Sequence, residues 1–259
     1  MILVKALRST VQIVFSILLM LALAFSALAA SEPKAPLYFT RGASSTMNET
    51  NFGTVQTDAL AGNITQLTLT GISQTRSWQG YYGNVTGWIT LDDANNFTFY
   101  NWSDAEPRGQ VYASLVSAGT PNWPTVDCTN FSTEAATFDT KYSINPDDYD
   151  NVTNTYNVTN HPQFQIIDRN VSGCPTTYIW RDDLYQSNDF VNVLLSDTNN
   201  AGTDRWVFGT IMENKDVSNK TDKTCYNGEL CDFQLLVAEN GHGTDIAVTP
   251  YYFWVDITG

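Results

Sequence analysis

Histidine and positive charge are both scarce in this chain of 259 residues, which carries 2 His and only 13 Lys and Arg against 27 Asp and Glu. So little basic surface cannot neutralise a row of phosphates, which excludes nucleic acid as a partner and anionic lipid with it. Zinc catalysis needs three converging protein ligands beside an open position. His161, His242 and four cysteines without zinc spacing do not supply them. A Gly-x-Ser-x-Gly elbow is also missing, since the nearest run, Gly71-Ile72-Ser73-Gln74-Thr75, ends without the second glycine. His242 lies in Gly241-His242-Gly243-Thr244-Asp245, which reads as a turn with a solvated histidine; a Ser-His-Asp set through it would have to assemble in space. Two carboxylates suffice for glycoside hydrolysis, but among 27 acids spacing singles out no pair. The chain therefore reads as a non-enzyme with no catalytic residue to assign, and a secreted glycosidase is the third-ranked function.

Long apolar runs are lacking too, apart from one. Lys5 and Arg8 give a basic start, Val11 to Ala30 is a run of 20 residues without charge, and Ala27-Leu28-Ala29 forms a small-residue cleavage box before Ser31. That order is a secretion signal over residues 1–30. The alternative is a retained N-terminal anchor, because such a run can span a bilayer core of roughly 30 Å. Removal takes two basic residues and no acid, leaving 11 against 27 and a net charge of −16. The expectation is a soluble extracellular or cell-surface domain with no other membrane span. Apolar residues make up 42% of the chain, with 13 Tyr and 13 Phe, enough to build a core and to set intrinsic disorder aside.

Cysteine and asparagine point to the same compartment. In an exported chain an even set of four cysteines implies two disulfides. Cys225 and Cys231 enclose an Asn227-Gly228 turn, and loop closure favours this near pair; Cys128 then joins Cys174, while two other connectivities stay formally open. Acceptor sequons occur at Asn48, Asn63, Asn84, Asn96, Asn101, Asn130, Asn151, Asn157, Asn170 and Asn219. Random order would place about 4 in a chain of this composition, so the excess suggests a glycan-coated surface.

From residue 63 onward the hydrophobic pattern has period two. Leu67 and Leu69 alternate with Thr, as do Val85, Gly87, Ile89 and Leu91 with Thr86, Trp88 and Thr90. Similar runs cover Phe97 to Tyr100, Val111 to Leu115, Phe164 to Ile167, Thr177 to Trp180, Phe190 to Leu195, Trp206 to Ile211, Phe233 to Val237, Ile246 to Thr249 and Tyr251 to Ile257. They are β-branched and aromatic, punctuated by Gly, Asn and Asp, and no amphipathic helix of useful length emerges. The expected fold is all-β, an antiparallel β-sandwich of immunoglobulin-like or jelly-roll-like kind over residues 63–259, open to elaboration. Residues 31–62 read as an N-terminal linker or exchangeable strand. Asn145 to Asn160 reads as a long exposed loop. In it, Asp147, Asp148 and Asp150 form a calcium candidate, although neither the glycine nor the terminal Glu of an EF-hand is present. Asp92-Asp93 and Asp182-Asp183 are weaker candidates of the same type; no other cofactor is implied.

Trp78-Gln79-Gly80-Tyr81-Tyr82-Gly83-Asn84-Val85-Thr86-Gly87 combines turn-permitting glycines with large amphipathic rings. Buried, these rings are core; exposed, Trp78, Tyr81, Tyr82 and Trp88 would stack on sugars. From Gly71 through this stretch, and again at Ile89 to Ala94, Phe99 to Trp102, Cys231 to Val237 and Tyr251 to Val255, the chain resembles a group of uncharacterised exported proteins of archaeal cell surfaces. The resemblance implies a β-rich envelope or appendage protein and carries no catalytic residues. The leading function is a secreted, glycosylated structural protein, an adhesive or filament subunit. It would associate with itself or with other surface proteins by strand pairing through residues 35–46 or the uncharged aromatic run Tyr251 to Val255. The alternative is a carbohydrate-binding module.

Overall fold

The computed structural model describes residues 32–47, 56–102, 108–115, 121–182, 184–187, 189–200, 202, 204–212, 223–240 and 248–258. The expected leader, Asn48, Asn219, Asp183 and the turn around His242 lie outside these described residues. In chain order the strands are β1 (Trp78–Gly83), β2 (Ile89–Asp92), β3 (Thr98–Trp102), β4 (Arg108–Ser114), β5 (Val126–Cys128), β6 (Phe164–Ile166), β7 (Arg169–Val171), β8 (Thr176–Thr177), β9 (Trp180–Arg181), β10 (Leu184–Tyr185), β11 (Asn192–Asp197), β12 (Trp206–Ile211), β13 (Phe233–Ala238) and β14 (Tyr252–Thr258). Two helices, α1 (Phe131–Lys141) and α2 (Val152–Thr155), stand between β5 and β6.

The centre is a six-stranded antiparallel sheet in the order β14-β4-β12-β11-β5, with β8 sharing the outer edge of β11 beside β5. Every residue of β11 and β12 is buried, because both faces of the sheet are covered. Val193, Leu195 and Val207 join Tyr112 and Trp254 on one face, beneath the β6–β7 hairpin and a 3-10 turn at Trp123–Thr125. Leu194, Trp206 and Phe208 join Val111 and Ala113 on the other, beneath α1, α2 and the antiparallel β1–β13 ribbon. The all-β antiparallel sandwich expected from the period-two runs is what forms, with helices completing one outer layer.

Helix α1 corrects the expectation that no useful helix exists. Asn130 caps it by accepting from the Ser132 N–H at 3.1 Å, while the Glu134 carboxylate accepts from the Asn130 N–H at 2.7 Å, so two orphan donors are satisfied reciprocally. Glu134 is buried and also pairs with Arg205 at the end of the β11–β12 connection. Phe138, fully buried, contacts the rings of Trp78, Tyr142, Trp206 and Phe208 and fastens the helix to the sheet.

The Asn145–Asn160 stretch is likewise not a free loop. Ile144, Val152 and Tyr156 are core residues, and the Tyr156 hydroxyl donates to the Leu236 carbonyl at 3.1 Å. Burial pushes the Tyr156 phenol well above its ordinary pKa. Asp139 of α1 accepts from the Val152 N–H at the start of α2, yet burial still raises its carboxyl.

At the front of the chain, the expected strand around Leu67 and Leu69 does not form. Both side chains are exposed, and the domain's first strand begins at Trp78 instead. The Leu-Thr run is short and is bounded by Gly62 and Gly71.

Candidate functional site

The three acids proposed for calcium have separate surroundings. Asp148 accepts from the backbone N–H and side-chain amide of Asn145, at 3.1 and 3.2 Å. The Asp150 carboxylate accepts from the Thr75 hydroxyl at 2.5 Å, while Asp147 is exposed. Among the described residues no group of three His, Cys, Asp or Glu could hold a metal. Asp92 accepts from Thr90, and Asp93 closes the β2–β3 turn by accepting from the N–H groups of Asn95 and Phe97 at 2.8 and 2.9 Å. Asp182 is exposed beside Arg181, 3.7 Å away. His161 is structural as well: its Nε2 accepts from the Cys174 N–H at 3.0 Å, which leaves Nδ1–H to donate to the Pro162 carbonyl.

The aromatic quartet divides. Trp78 lies against Phe138 and Tyr156, and its indole N–H donates to the Asp150 carbonyl, so its ring is committed to packing. Tyr81 sits edge-on to Phe253 at 5.3 Å, and burial raises its phenol pKa. These two leave the sugar-stacking set because their neighbours take the ring surfaces a sugar would use. Tyr82 is 46% exposed and meets Tyr226 edge-on at 5.3 Å, while Trp88 is 48% exposed. Tyr226, which follows Cys225, was not legible as a partner because 144 positions separate it from Tyr82 (226 − 82).

Both disulfides form with the expected partners. Cys128 at the end of β5 and Cys174 just before β8 have Cα atoms 4.7 Å apart, so this bridge ties together the two short strands that share the β11 edge. Cys225–Cys231 closes the turn leading into β13, with Cα atoms 5.9 Å apart. Stable bridges of this kind belong to an oxidising, extracellular-type compartment. Among the described residues no helix is long and apolar enough to cross a membrane. Of the described sequon asparagines, Asn63, Asn84, Asn96, Asn101, Asn130, Asn157 and Asn170 are exposed, and Asn151 is buried. Asn151 caps α2: its Oδ1 accepts from the Asn154 N–H at 2.8 Å and its Nδ2 donates to the Pro146 carbonyl.

Among the described residues, two β surfaces bear on association. Among the described residues the β2–β3 hairpin pairs only with itself, and Ile89 opposite Trp102 and Leu91 opposite Tyr100 form an apolar face with Leu91, Tyr100 and Trp102 exposed. A two-stranded ribbon is marginal in water unless another layer covers it. The second surface is the outer edge of β14. There Lys34 and Val255 exchange both backbone hydrogen bonds, at 3.0 and 2.8 Å, and the Phe39 ring lies 5.7 Å from Phe253.

No family model, curated protein or solved structure matches this chain. Function must therefore be argued from the chain's own geometry. Sequence reasoning had nominated residues 35–46 and the β14 run as separate edges; the contact between them through Lys34 is new, and one residue pair leaves no periodic signal. The exposed Trp180–Tyr185 pair on the β9–β10 hairpin, with ring centroids 4.3 Å apart, was also missed because its two strands are only two residues long.

Proposed function

We propose that this chain is an exported structural protein of a cell surface, a glycan-bearing, disulfide-stapled β domain that associates with copies of itself through unpaired strand edges. The observation that carries the reading is the contrast between interior and periphery. The central sheet is covered on both faces and the described acids form no metal-binding group, while among the described residues the outer edge of β14 is met by one backbone pair, Lys34–Val255, and by the Phe39 ring. From Tyr252 to Val255 that edge carries none of the lysines, bulges or inward charges that normally blunt a free strand; the partly buried Asp256 follows them. Sequons on so many exposed asparagines fit a long-lived outer surface, and the resemblance read from the sequence, to exported proteins of archaeal cell surfaces, implies the same location. Sedimentation and electron microscopy of the native chain over a concentration series test the proposal. Concentration-dependent oligomers or filaments are expected; a monomer at every concentration overturns it.

A second reading, a carbohydrate-binding surface, is favoured only by Tyr82 with Tyr226, which present two half-exposed rings at a mutual angle of 80°. A glycan array on the deglycosylated protein decides between the two. Specific binding abolished by Tyr82→Ala would favour sugar recognition, and its absence favours self-association.

A further inference from the structure

We infer that the segment Lys34 to Phe39 of one copy docks on the outer edge of β14 in a second copy, replacing the contact it makes within its own chain. The inference rests on the self-association proposed above and names its two surfaces. Because Val255 exchanges both bonds with Lys34, the backbone groups of Phe253 and Ile257, two residues along, turn to the same side. Neither meets a backbone partner there among the described residues. Three consecutive outward positions thus form an acceptor edge of which one is occupied.

The reason that the intrachain pairing stops after one residue lies in the sequence. Along the antiparallel register, Pro36 falls opposite Phe253 and has no N–H to donate. The chain then leaves the edge, and Leu37, Tyr38 and Phe39 stand 80%, 86% and 66% exposed although they are strong strand formers. A segment entering from a second copy is not bound to this register. With Phe39 opposite Val255, Leu37 falls opposite Ile257 and Arg41 opposite Phe253, so the pairing run contains no proline and the exposed side chains lie along the β14 edge.

Reach and symmetry favour a chain of copies. The residues between Phe39 and Trp78 number 38 (78 − 39 − 1), and the described ones among them contain no named strand or helix. A flexible chain of 38 residues would span on the order of 30 Å, comparable with the width of a domain of this size, so once the exposed bonds from Thr46 and Met47 to Gln74 open, the edge of a neighbour comes within reach as the chain's own does. Donor and acceptor are different patches, so the contact is head-to-tail and propagates instead of closing. Tethering gives the intrachain contact an effective concentration in the mM range. Dilute protein therefore keeps its segment at home, and dense packing on a surface releases it.

Cysteines at Lys34 and Val255 read the exchange directly. When Lys34→Cys chains and Val255→Cys chains are mixed, assembled and oxidised, a cross-linked pair containing one of each is expected. The double variant, oxidised while dilute, is expected to lock the segment at home and cut assembly at least tenfold, with recovery on mild reduction; peptide mapping confirms that the two native disulfides stay intact. A chain lacking residues 32–39 accepts but cannot donate, so added in small amounts it should shorten assemblies of the full chain. Full assembly by the locked double variant, or only intrachain cross-links in assembled material, overturns the exchange while leaving self-association standing. A native chain that never assembles sinks both.

Discussion

The indole N–H of Trp78 donates to the backbone carbonyl of Asp150 at 2.7 Å, and through that bond the first strand of the domain holds a stretch that reads as loop. The ring also lies between Phe138 of α1 and Tyr156 just after α2, so one side chain joins three elements. Trp78→Phe keeps most of the packing and loses the bond, and should cost about 1 kcal/mol. Trp78→Ala also opens a cavity and should cost about 3 kcal/mol or more. Urea midpoints of the two variants measure both values. Equal losses would show that the hydrogen bond, not the ring, is what matters.

What could be read in advance, and what could not, follows from the range of the forces involved. β12 was expected at Trp206 to Ile211 and forms over those residues, because six β-branched, aromatic and small residues admit little else. The disulfide partners were legible because loop closure and a turn are local. Helix α1 was missed although its signal is present: Phe131, Ala135, Phe138 and Tyr142 recur at spacings of four, three and four, behind the Asn130 cap. Four Thr and Ser residues within the helix hid that stripe, since they are poor helix formers and packing against the sheet outweighs their propensity. The fate of Trp78 was not legible at all, because Phe138, Asp150 and Tyr156 lie 60 or more positions away.

The two disulfides should differ in worth. Cys128–Cys174 spans 46 residues and Cys225–Cys231 spans 6. Loop-entropy reasoning assigns about 4 kcal/mol to the first and about 2 kcal/mol to the second. Paired Cys→Ala variants followed by thermal unfolding should rank in that order. The reverse order would mean that the short loop, through the buried Gln234, Gln186 and Asn192 hydrogen bonds beside it, governs the fold more than β5 and β8 do.

Asp256 should make the fold more stable in mild acid. Burial pushes its carboxyl pKa up from 3.8 to about 6. The folded chain therefore favours the neutral form. That contribution is complete below about pH 4, where the unfolded chain is also protonated, and is lost as pH rises through about 6. Asp256→Asn should change little at pH 4 and stabilise by about 1–2 kcal/mol at pH 7, a value discounted because the carboxyl keeps part of its water. Denaturant midpoints at the two pH values check it, and equal effects at both would remove the role of desolvation.

Asn151 should be bare in the native protein. Its amide nitrogen, the atom a glycan would use, already donates to the Pro146 carbonyl, and the residue is only 5% exposed. Asn157 and Asn170 are exposed, and among the described residues that nitrogen has no hydrogen-bond partner at either position. Glycopeptide mapping of native material should find sugar at the latter two positions and none at Asn151. Loss of the cap makes a second check: Asn151→Ala should cost about 1 kcal/mol, whereas Asn157→Gln should be neutral. Sugar at Asn151 in folded protein would require α2 to start differently.

The β2–β3 hairpin supplies a test of whether exposed aromatic surface serves association or the fold itself. Tyr100 and Trp102 lie side by side on its apolar face with ring centroids 4.7 Å apart, and the sequon Asn101 between them points to the opposite face. A glycan on Asn101 would thus shield one side of the ribbon and leave the other open. Since the ribbon joins no other sheet, replacing both rings by Ser removes little intrachain packing, and the unfolding midpoint should move by less than about 0.5 kcal/mol. Association should weaken several-fold, because buried aromatic rings carry most of the energy of such contacts. Light scattering against concentration gives the second quantity and denaturation the first. A large drop in stability with association unchanged would mean that the rings fold back on their own domain.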